Sequence, residues 1–230
     1  MDELRSLVTQ ARYVLFGFDG LICRLFAGHA TQRLATDLVE WLERQGLSGL
    51  LTEEEAHHLD PYTVLRAVGR RHPASDLVAQ LEERLMQEEL NAAPSAMPTA
   101  YAEPLIRTWT AVGVRLAVTS DASPAVVHTY LESRGLNSCF APHLYGRTQD
   151  FNLLSPDPHC FNRALRAMGA DPSVSLVIGA TPSDFHAAQQ AGMPFLGYAC
   201  NDRTEKLLRE AGAEHVVTSL EPVLLLVRGL

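Results

Sequence analysis

The sequence has no long apolar run and no closely spaced pair of cysteines. No apolar stretch approaches the roughly 20 residues that a membrane-spanning helix needs, so we expect no membrane partner. The cysteines are widely separated and form no C-x-x-C pair, which favours neither a disulfide framework nor a structural zinc site. They are Cys23, Cys139, Cys160 and Cys200. This usage is typical of packed, reduced thiols and predicts a cytoplasmic protein.

The sequence also lacks a basic cluster. Its formal net charge is −8 and its arginines are scattered, whereas nucleic-acid binding requires concentrated positive charge. We therefore expect no nucleic-acid partner. The hydrophobic content of 47% is ordinary for a globular chain. The acidic, amphipathic start, MDELRSLVTQAR, indicates a first helix and not a signal peptide.

Short apolar runs that end at turn residues predict buried strands. These strands are Tyr13 to Phe18, Val114 to Thr119, Ser175 to Ile178, Pro194 to Tyr198 and His215 to Val217. Helical segments with capping residues or terminal glycines lie between them. They are Pro124 to Arg134, Pro158 to Met168, Ser183 to Ala191 and Asp202 to Ala211. The alternation predicts a Rossmann-like, three-layer α/β core with a parallel sheet.

The segment 24–97 has only helical patterns. Its predicted helices are Thr31 to Gln45, Thr52 to His58, Pro61 to Arg71 and Ser75 to Asn91. We therefore assign residues 1–23 and 98–230 to the α/β core, and 24–97 to an inserted all-helical domain. Such an insertion would cover the carboxyl edge of the sheet, where open α/β folds bind ligands. The stretch from Ala92 to Ala100 is the predicted hinge.

Four segments at or after strand ends resemble, in order, the four motifs of the haloacid dehalogenase (HAD) superfamily. They are FGFDGLI (16–22), VTSDAS (118–123), SPDPHCF (155–161) and GATPSDFHAAQQAGMPFLG (179–197). The resemblance covers nearly the whole chain outside the helical insertion. It implies a HAD core with a C1-type helical cap. It further implies an aspartate nucleophile, an acid/base aspartate, a magnesium ion and a charge-neutralising lysine.

The family pattern is only partly retained. On the resemblance, Asp19 keeps the acid/base carboxylate, Thr119 keeps the phosphate-binding hydroxyl and Asp184 keeps the outer carboxylate of the fourth motif. The departures are Gly17 for the nucleophile, Leu21 for the usual threonine, Ser155 for the lysine and Ala180 for the first fourth-motif aspartate.

The departures are consistent with one another. Glycine cannot form an aspartyl-phosphate. Magnesium is usually held by carboxylates together with substrate phosphates, so the loss at Gly17 and Ala180 predicts no cofactor. Without those anions, a buried lysine at position 155 would be an uncompensated charge. We interpret the substitutions as one coordinated loss of phosphatase chemistry.

Each retained residue also has a structural interpretation. Asp19 could simply form the turn before Gly20, and Asp184 could favour the first turn of a helix. Thr119 and Ser120 could bind an anion at a strand end. The further candidates for a ligand site are Cys23 as a substitute nucleophile, His159, His186, Arg24, Arg107 and Arg147, while the His57-His58 pair is predicted to be solvated.

Two functional hypotheses follow. The first is a divergent HAD-like protein without a nucleophile, which either binds a small molecule or a partner protein between cap and core, or uses Asp19 for metal-independent acid/base chemistry. The alternative is a Mg²⁺-dependent phosphatase that acts on a small phosphorylated metabolite. The fold alone does not decide between them, because function resides in the site.

Overall fold

A computed structural model describes residues 2–27, 31–57, 59–73 and 75–229. The strands are β1 Tyr13–Phe16, β2 Cys23–Arg24, β3 Met97–Pro98, β4 Arg115–Thr119, β5 Leu144–Tyr145, β6 Ser175–Gly179, β7 Phe195–Tyr198 and β8 Val216–Val217. The helices are α1 Asp2–Gln10, α2 Thr31–Arg44, α3 Glu53–His57, α4 Pro61–Arg71, α5 Asp76–Ala92, α6 Ala102–Ala111, α7 Pro124–Ser133, α8 Asn137–Phe140, α9 His159–Met168, α10 Pro182–Gln190, α11 Asp202–Glu210 and α12 Glu221–Arg228.

The core is a parallel six-stranded sheet in the order β5-β4-β1-β6-β7-β8. Strand β1 lies at the centre, with Phe16 in register with Val118 of β4 and Ile178 of β6. Alternate side chains of β1 enter different hydrophobic clusters, as the two-residue period of a strand requires. Val14 and Phe16 belong to one cluster and Leu15 to the other. The predicted α/β architecture with helices on both faces is confirmed.

Aromatic side chains anchor one face of the sheet. Phe16 makes edge-to-face contacts with Trp109 of α6 and Phe140 of α8, at centroid distances of 5.7 Å and 5.9 Å. All three side chains are buried, and burial of each contributes about 1.5–3 kcal/mol relative to exposure. This packing fixes the central strand, and therefore the loop that follows it.

Helices α2 to α5 form a separate helical block, residues 31–57, 59–73 and 75–92 as described. Its own hydrophobic cluster includes Leu38, Leu65 and Leu81. Helix α4 begins at Pro61, a residue suited to the first helical turn, after the N-cap Asp60. Asp60 accepts hydrogen bonds from the Tyr62 and Thr63 amides. His58 of the predicted histidine pair lies outside the described residues.

Several short elements differ from the sequence-based prediction. Strands β2 and β3 form an antiparallel pair where the chain leaves and re-enters the core, and two-residue strands have no detectable periodicity. The predicted hinge contains β3 and a 3-10 turn, Ala93–Ser95. Strand β1 ends at Phe16 because the Phe18 carbonyl accepts the Ile22 and Cys23 amides and turns the chain. Helices α6 and α12 were not predicted.

Among the described residues, no helix combines the length and apolar character that crossing a bilayer requires.

Candidate functional site

Three neighbouring strands end at one edge of the sheet and bring the motif residues together. Gly17 follows β1, Ser120 follows β4 and Ala180 follows β6. The Gly17 amide still donates to the Ile178 carbonyl, at 2.9 Å, so the first motif stays registered against the fourth. This edge is where parallel α/β folds place their ligand sites.

Gly17 has room for a side chain. A Cβ atom built there would lie 3.5 Å from the Ile178 carbonyl oxygen and 4.0 Å from Oδ2 of Asp184, which are ordinary contact distances. Gly17 is also not among the glycines with positive φ, so its backbone accommodates any L-residue. Local sterics therefore do not require glycine at this position, and glycine supplies no side-chain oxygen there.

Asp19 lies partly buried in the turn after β1. Its Oδ1 atom accepts a hydrogen bond from the Leu25 amide at 2.8 Å, which ties the loop to the carboxylate. Burial raises the pKa of Asp19 to about 6, against the opposing hydrogen bonds from Leu25 and Gly20, and the charges of Glu89 and Asp184 raise it further. Asp19 can therefore exchange a proton near neutral pH, while it also has the loop-forming contact of a turn residue.

Thr119 is buried at the end of β4, and its Oγ1 has no hydrogen-bond partner among the described residues. Buried hydroxyls nearly always have a partner, so this enclosed hydroxyl is a candidate contact for a ligand or a water molecule. Ser120 is used locally, because its Oγ accepts from the Ala122 amide at 3.0 Å. The Ser120 amide donates to the Tyr145 carbonyl at 3.0 Å. At this strand end, the polar side-chain atom without a partner among the described residues is therefore Oγ1 of Thr119.

Asp184 forms a capping box with Thr181 at the start of α10. Its Oδ2 accepts from the amides of Ala180 and Thr181, both at 3.0 Å, and the Asp184 amide donates to Thr181 Oγ1 at 3.1 Å. Burial raises the pKa of Asp184, and the hydrogen bonds from Thr181 and Ala180 lower it. The carboxylate thus stabilises the helix terminus.

The residues present do not fit a magnesium site. Gly17 and Ala180 offer no side-chain oxygen, and Oδ2 of Asp184 already accepts two amide hydrogen bonds. Within the described ranges, no three His, Cys, Asp or Glu side chains form a group suited to a metal ion. Magnesium binding of the family type would need oxygen ligands that this arrangement lacks.

Ser155 lies in a contact that the sequence did not indicate. Its amide donates to Oδ1 of Asp121 at 3.0 Å, and its carbonyl accepts from Nη1 of Arg66 at 3.1 Å. Arg66 is on α4 of the helical block, and its guanidinium lies 4.0 Å from Oδ2 of Asp121. A cation from another part of the chain therefore approaches Ser155, the position that the resemblance aligns with the family's lysine. No local pattern identifies such a long-range pair.

Asp121 is the third carboxylate at this edge of the sheet whose pKa is raised. Burial raises the pKa of Asp121 to about 6. The hydrogen bond from the Ser155 amide lowers this pKa, and the negative charge of Asp184 raises it. From the sequence, Asp121 was placed only within the second motif segment, 118–123, and was given no role. Its functional surroundings come from Ser155 and Arg66, which are distant in sequence.

Other predicted candidates have structural contacts. Cys23 is fully buried, and burial raises the pKa of its thiol well above the ordinary value, which disfavours the thiolate that a nucleophile needs. Leu21 lies in the hydrophobic core. His159 is the first residue of α9, and its amide donates a hydrogen bond to Oδ1 of Asp157. His186 is exposed, and its ring lies beside that of Phe185.

The three candidate arginines are also engaged. Arg24 donates to the sulfur of Met97, and Arg107 pairs with Glu103 on the surface. Arg147 is fully buried and pairs with Glu89. None of the three presents a guanidinium without a protein partner.

Comparisons with known proteins support the fold. The sequence profile of the haloacid dehalogenase-like hydrolases matches residues 11–192. A search of curated proteins gave no match. Many solved structures share the fold.

Three of these structures show the extent of the similarity. A variant of CbbY from Rhodobacter sphaeroides, in complex with xylulose-(1,5)bisphosphate, has 18% identity and a TM-score of 0.66 over 91% of this chain and 94% of that chain. A HAD family hydrolase from Deinococcus radiodurans, with bound phosphate and sodium, has 22% identity and a TM-score of 0.59 over 93% of each chain. A HAD-superfamily hydrolase of subfamily IA from Geobacter sulfurreducens has 19% identity and a TM-score of 0.59 over 95% and 97%.

At these identities the structural matches establish the fold alone. The profile match, in contrast, spans most of the chain and includes the first three motif segments and the fourth as far as residue 192. The chain belongs to the haloacid dehalogenase-like hydrolase family.

Proposed function

We propose that this protein binds a small anionic ligand at the carboxyl edge of its sheet, without the phosphoaspartate chemistry of its family. The observation that carries the proposal is the combination of Gly17, which has no nucleophile, with a capping role for Asp184. The Gly17 position has space for a side chain, so the proposal rests on missing reactive groups and not on a blocked site.

The unpartnered hydroxyl of Thr119 supports an anionic or hydrogen-bonding ligand. A hydroxyl donor at a strand end can bind one oxygen of a phosphate or a carboxylate. The structural relatives from Rhodobacter sphaeroides and Deinococcus radiodurans hold a sugar bisphosphate and a phosphate, respectively. A small phosphorylated metabolite is therefore the ligand class we would test first. Without lysine or magnesium, we expect weak binding of free phosphate.

A second candidate function is metal-independent acid/base catalysis. It is favoured by the pKa of Asp19, which burial raises to about 6. A carboxyl group in this range gives and takes a proton efficiently near neutral pH. In this case Asp19 would move a proton on the bound ligand, and Thr119 would orient that ligand. Replacing Asp19 with Asn would abolish turnover and leave ligand binding largely intact.

An aryl phosphatase assay separates these proposals from the Mg²⁺-dependent phosphatase that family membership alone suggests. The wild type is compared with Gly17→Asp/Ser155→Lys/Ala180→Asp, each with magnesium and with EDTA. We expect a silent wild type and magnesium-dependent turnover in the triple variant. Robust wild-type turnover that EDTA abolishes would contradict the proposed loss of phosphatase chemistry.

Ligand binding is tested directly with inorganic phosphate and with sugar phosphates by titration calorimetry. Thr119→Val is the matched variant because it keeps the branched shape and removes only the hydroxyl. We expect this change to weaken binding about 5- to 10-fold, the effect of one lost hydrogen bond. Ser133→Ala, which removes a hydroxyl from the opposite end of α7, serves as the control. Equal affinities of the wild type and Thr119→Val would remove the support for this site.

A further inference from the structure

The geometry points to a clasp, residues 147–155, that holds the helical block against the core as a fixed part of the site. This segment belongs to the core chain between β5 and α9, yet it contacts the block at three separate places. The inference concerns how the site is assembled and goes beyond the proposed ligand binding. It predicts that Glu89 and Arg147 are positioning residues for the loop after β4.

The first contact is a buried charge network. Arg147 donates from Nη1 to Oε1 of Glu89 at 2.8 Å, and from Nη2 to Oε2 of Glu89 at 3.0 Å. Both side chains are fully buried. Arg147 Nε also donates to Glu82, and the Tyr62 hydroxyl donates to Glu89 Oε1 at 3.1 Å. Because bidentate arginine–carboxylate pairs are directional, the network fixes α5 in one orientation.

The same network also contacts the loop that follows Thr119 and β4. Arg147 Nη1 donates to the Asp121 carbonyl at 2.8 Å, and Oε2 of Glu89 accepts the Ser123 amide at 3.1 Å. Glu89 lies on the helical block, whereas Asp121 and Ser123 lie in the core. The Glu89 carboxylate of the block thus directly holds the backbone of the loop after β4 in position.

The second contact is apolar. Phe151 and Leu154 are buried in the hydrophobic cluster of the helical block and not in those of the sheet. Gly69 of α4 permits this approach, because a Cβ there would lie 2.7 Å from Cβ of Phe151. The Asn152 side-chain amide closes the contact by donating to the Gly69 carbonyl at 3.3 Å.

The third contact joins the clasp to the site itself. Arg66 of α4 donates to the Ser155 carbonyl at 3.1 Å, and the Ser155 amide donates to Asp121 at 3.0 Å. Swinging the block away would therefore break polar contacts to both site loops and expose Phe151 to water. We infer that the block does not open as a lid in the native state.

Native-state hydrogen exchange on the full chain, followed by NMR in increasing urea, tests this inference without any ligand. The Ser123 amide, which donates to Glu89 of the block, reports on docking, and the Val177 amide of β6 reports on the sheet. If the block stays docked, the Ser123 amide exchanges only through global unfolding, with the urea dependence of Val177. Exchange of the Ser123 amide at least 10-fold faster than that of Val177, with a small urea dependence, would overturn the inference.

Two variants at Glu89 test its positioning role. Glu89→Leu removes the acceptor for the Ser123 amide, and Glu89→Gln keeps one. We expect Glu89→Leu to speed exchange at Ser123 at least 10-fold relative to Val177, and Glu89→Gln to restore most of the protection. If Ser123 and Val177 change equally in Glu89→Leu, the residue acts only through global stability and the positioning role is refuted. Because no ligand is used, this result is independent of the proposed function.

Discussion

Glu89 of α5 and Arg147 of the core form a fully buried ion pair, with two parallel hydrogen bonds of 2.8 Å and 3.0 Å. Glu89 further accepts the Ser123 amide and the Tyr62 hydroxyl, so its lone pairs are well satisfied. A buried pair of this kind defines geometry more than it adds stability, because desolvation offsets the attraction. Removing one of the two partners, however, leaves the other as a buried charge without a partner.

The first prediction follows from that asymmetry. Arg147→Met leaves the buried Glu89 and the partly buried Glu82 without their cation, and we expect it to lower the free energy of unfolding by about 3–5 kcal/mol. Urea denaturation measures the change. Arg134→Met is the control, since Arg134 forms only an exposed pair with Glu103 at 3.3 Å, for which about 0–1 kcal/mol is expected. Similar losses in both variants would contradict a special role for the buried pair.

The second prediction concerns the pH dependence of stability at Asp19. Burial raises the pKa of Asp19 to about 6 in the folded protein, above the ordinary value of 3.8, so the folded state binds the proton more tightly than the unfolded state. Stability from this group is present below about pH 4 and is lost as the pH rises through about 6. Asp19→Asn removes the buried charge and keeps an acceptor for the Leu25 amide.

We therefore expect Asp19→Asn to be more stable than the wild type at pH 8, by about 1–3 kcal/mol, with the difference vanishing near pH 4. Urea denaturation across this pH range provides the measurement. Asp171→Asn is the control, because hydrogen bonds from Ser173 lower the pKa of that exposed carboxylate. Its replacement should give no gain at pH 8. A constant effect of Asp19→Asn at all pH values would argue against the raised pKa.

The third prediction concerns magnesium. The wild type should show no change in melting temperature with added MgCl₂, because Gly17 and Ala180 supply no ligand. In Gly17→Asp/Ser155→Lys/Ala180→Asp, saturating Mg²⁺ at about 100 times its Kd should stabilise the protein by about 2.7 kcal/mol. Calcium chloride at equal ionic strength controls for salt. A magnesium-specific shift in the wild type would show that other residues hold the ion.

The fourth prediction concerns the close approach of Gly69 to Phe151. In a helix, replacing glycine with alanine normally stabilises by about 1 kcal/mol. At position 69 the added methyl group would lie 2.7 Å from Cβ of Phe151, so we expect a net loss of about 1–3 kcal/mol from overpacking. Thermal denaturation measures it. Thr36→Ala, at an exposed position of α2, calibrates helix propensity, and a gain in stability at Gly69 would exclude the tight contact.

Much of the core was predictable because its signals are local. The apolar runs before Asp19 and Ser120 indicated buried strands, and capping residues and terminal glycines indicated the helices between them. The two-residue strands β2 and β3 were not predictable, because they contain no repeated pattern. Helices α6 and α12 were missed although each has a proline in its first turn, a signal that could have identified them.

The residues of the candidate site likewise fall into those that the sequence identified and those that only the structure revealed. Its motif positions, including Gly17 and Thr119, were identified from the sequence because each lies at a strand end in a recognisable order. Arg66 and Asp121 were missed because their relation to Ser155 crosses long stretches of chain. Arg147 was considered a possible ligand residue, and only its burial against Glu89 showed that its charge is already neutralised.

The sequence by itself determined the family, the alternation of strands and helices along the chain, and the glycine at position 17. These depend on residue identity and local periodicity. The tertiary structure decided how the remaining charges are used. It paired Arg147 with Glu89, directed Asp184 to a helix terminus, and raised the pKa of Asp19 by burial. Burial and long-range pairing set the energy of a charge, and neither is encoded in the spacing of a few neighbouring residues.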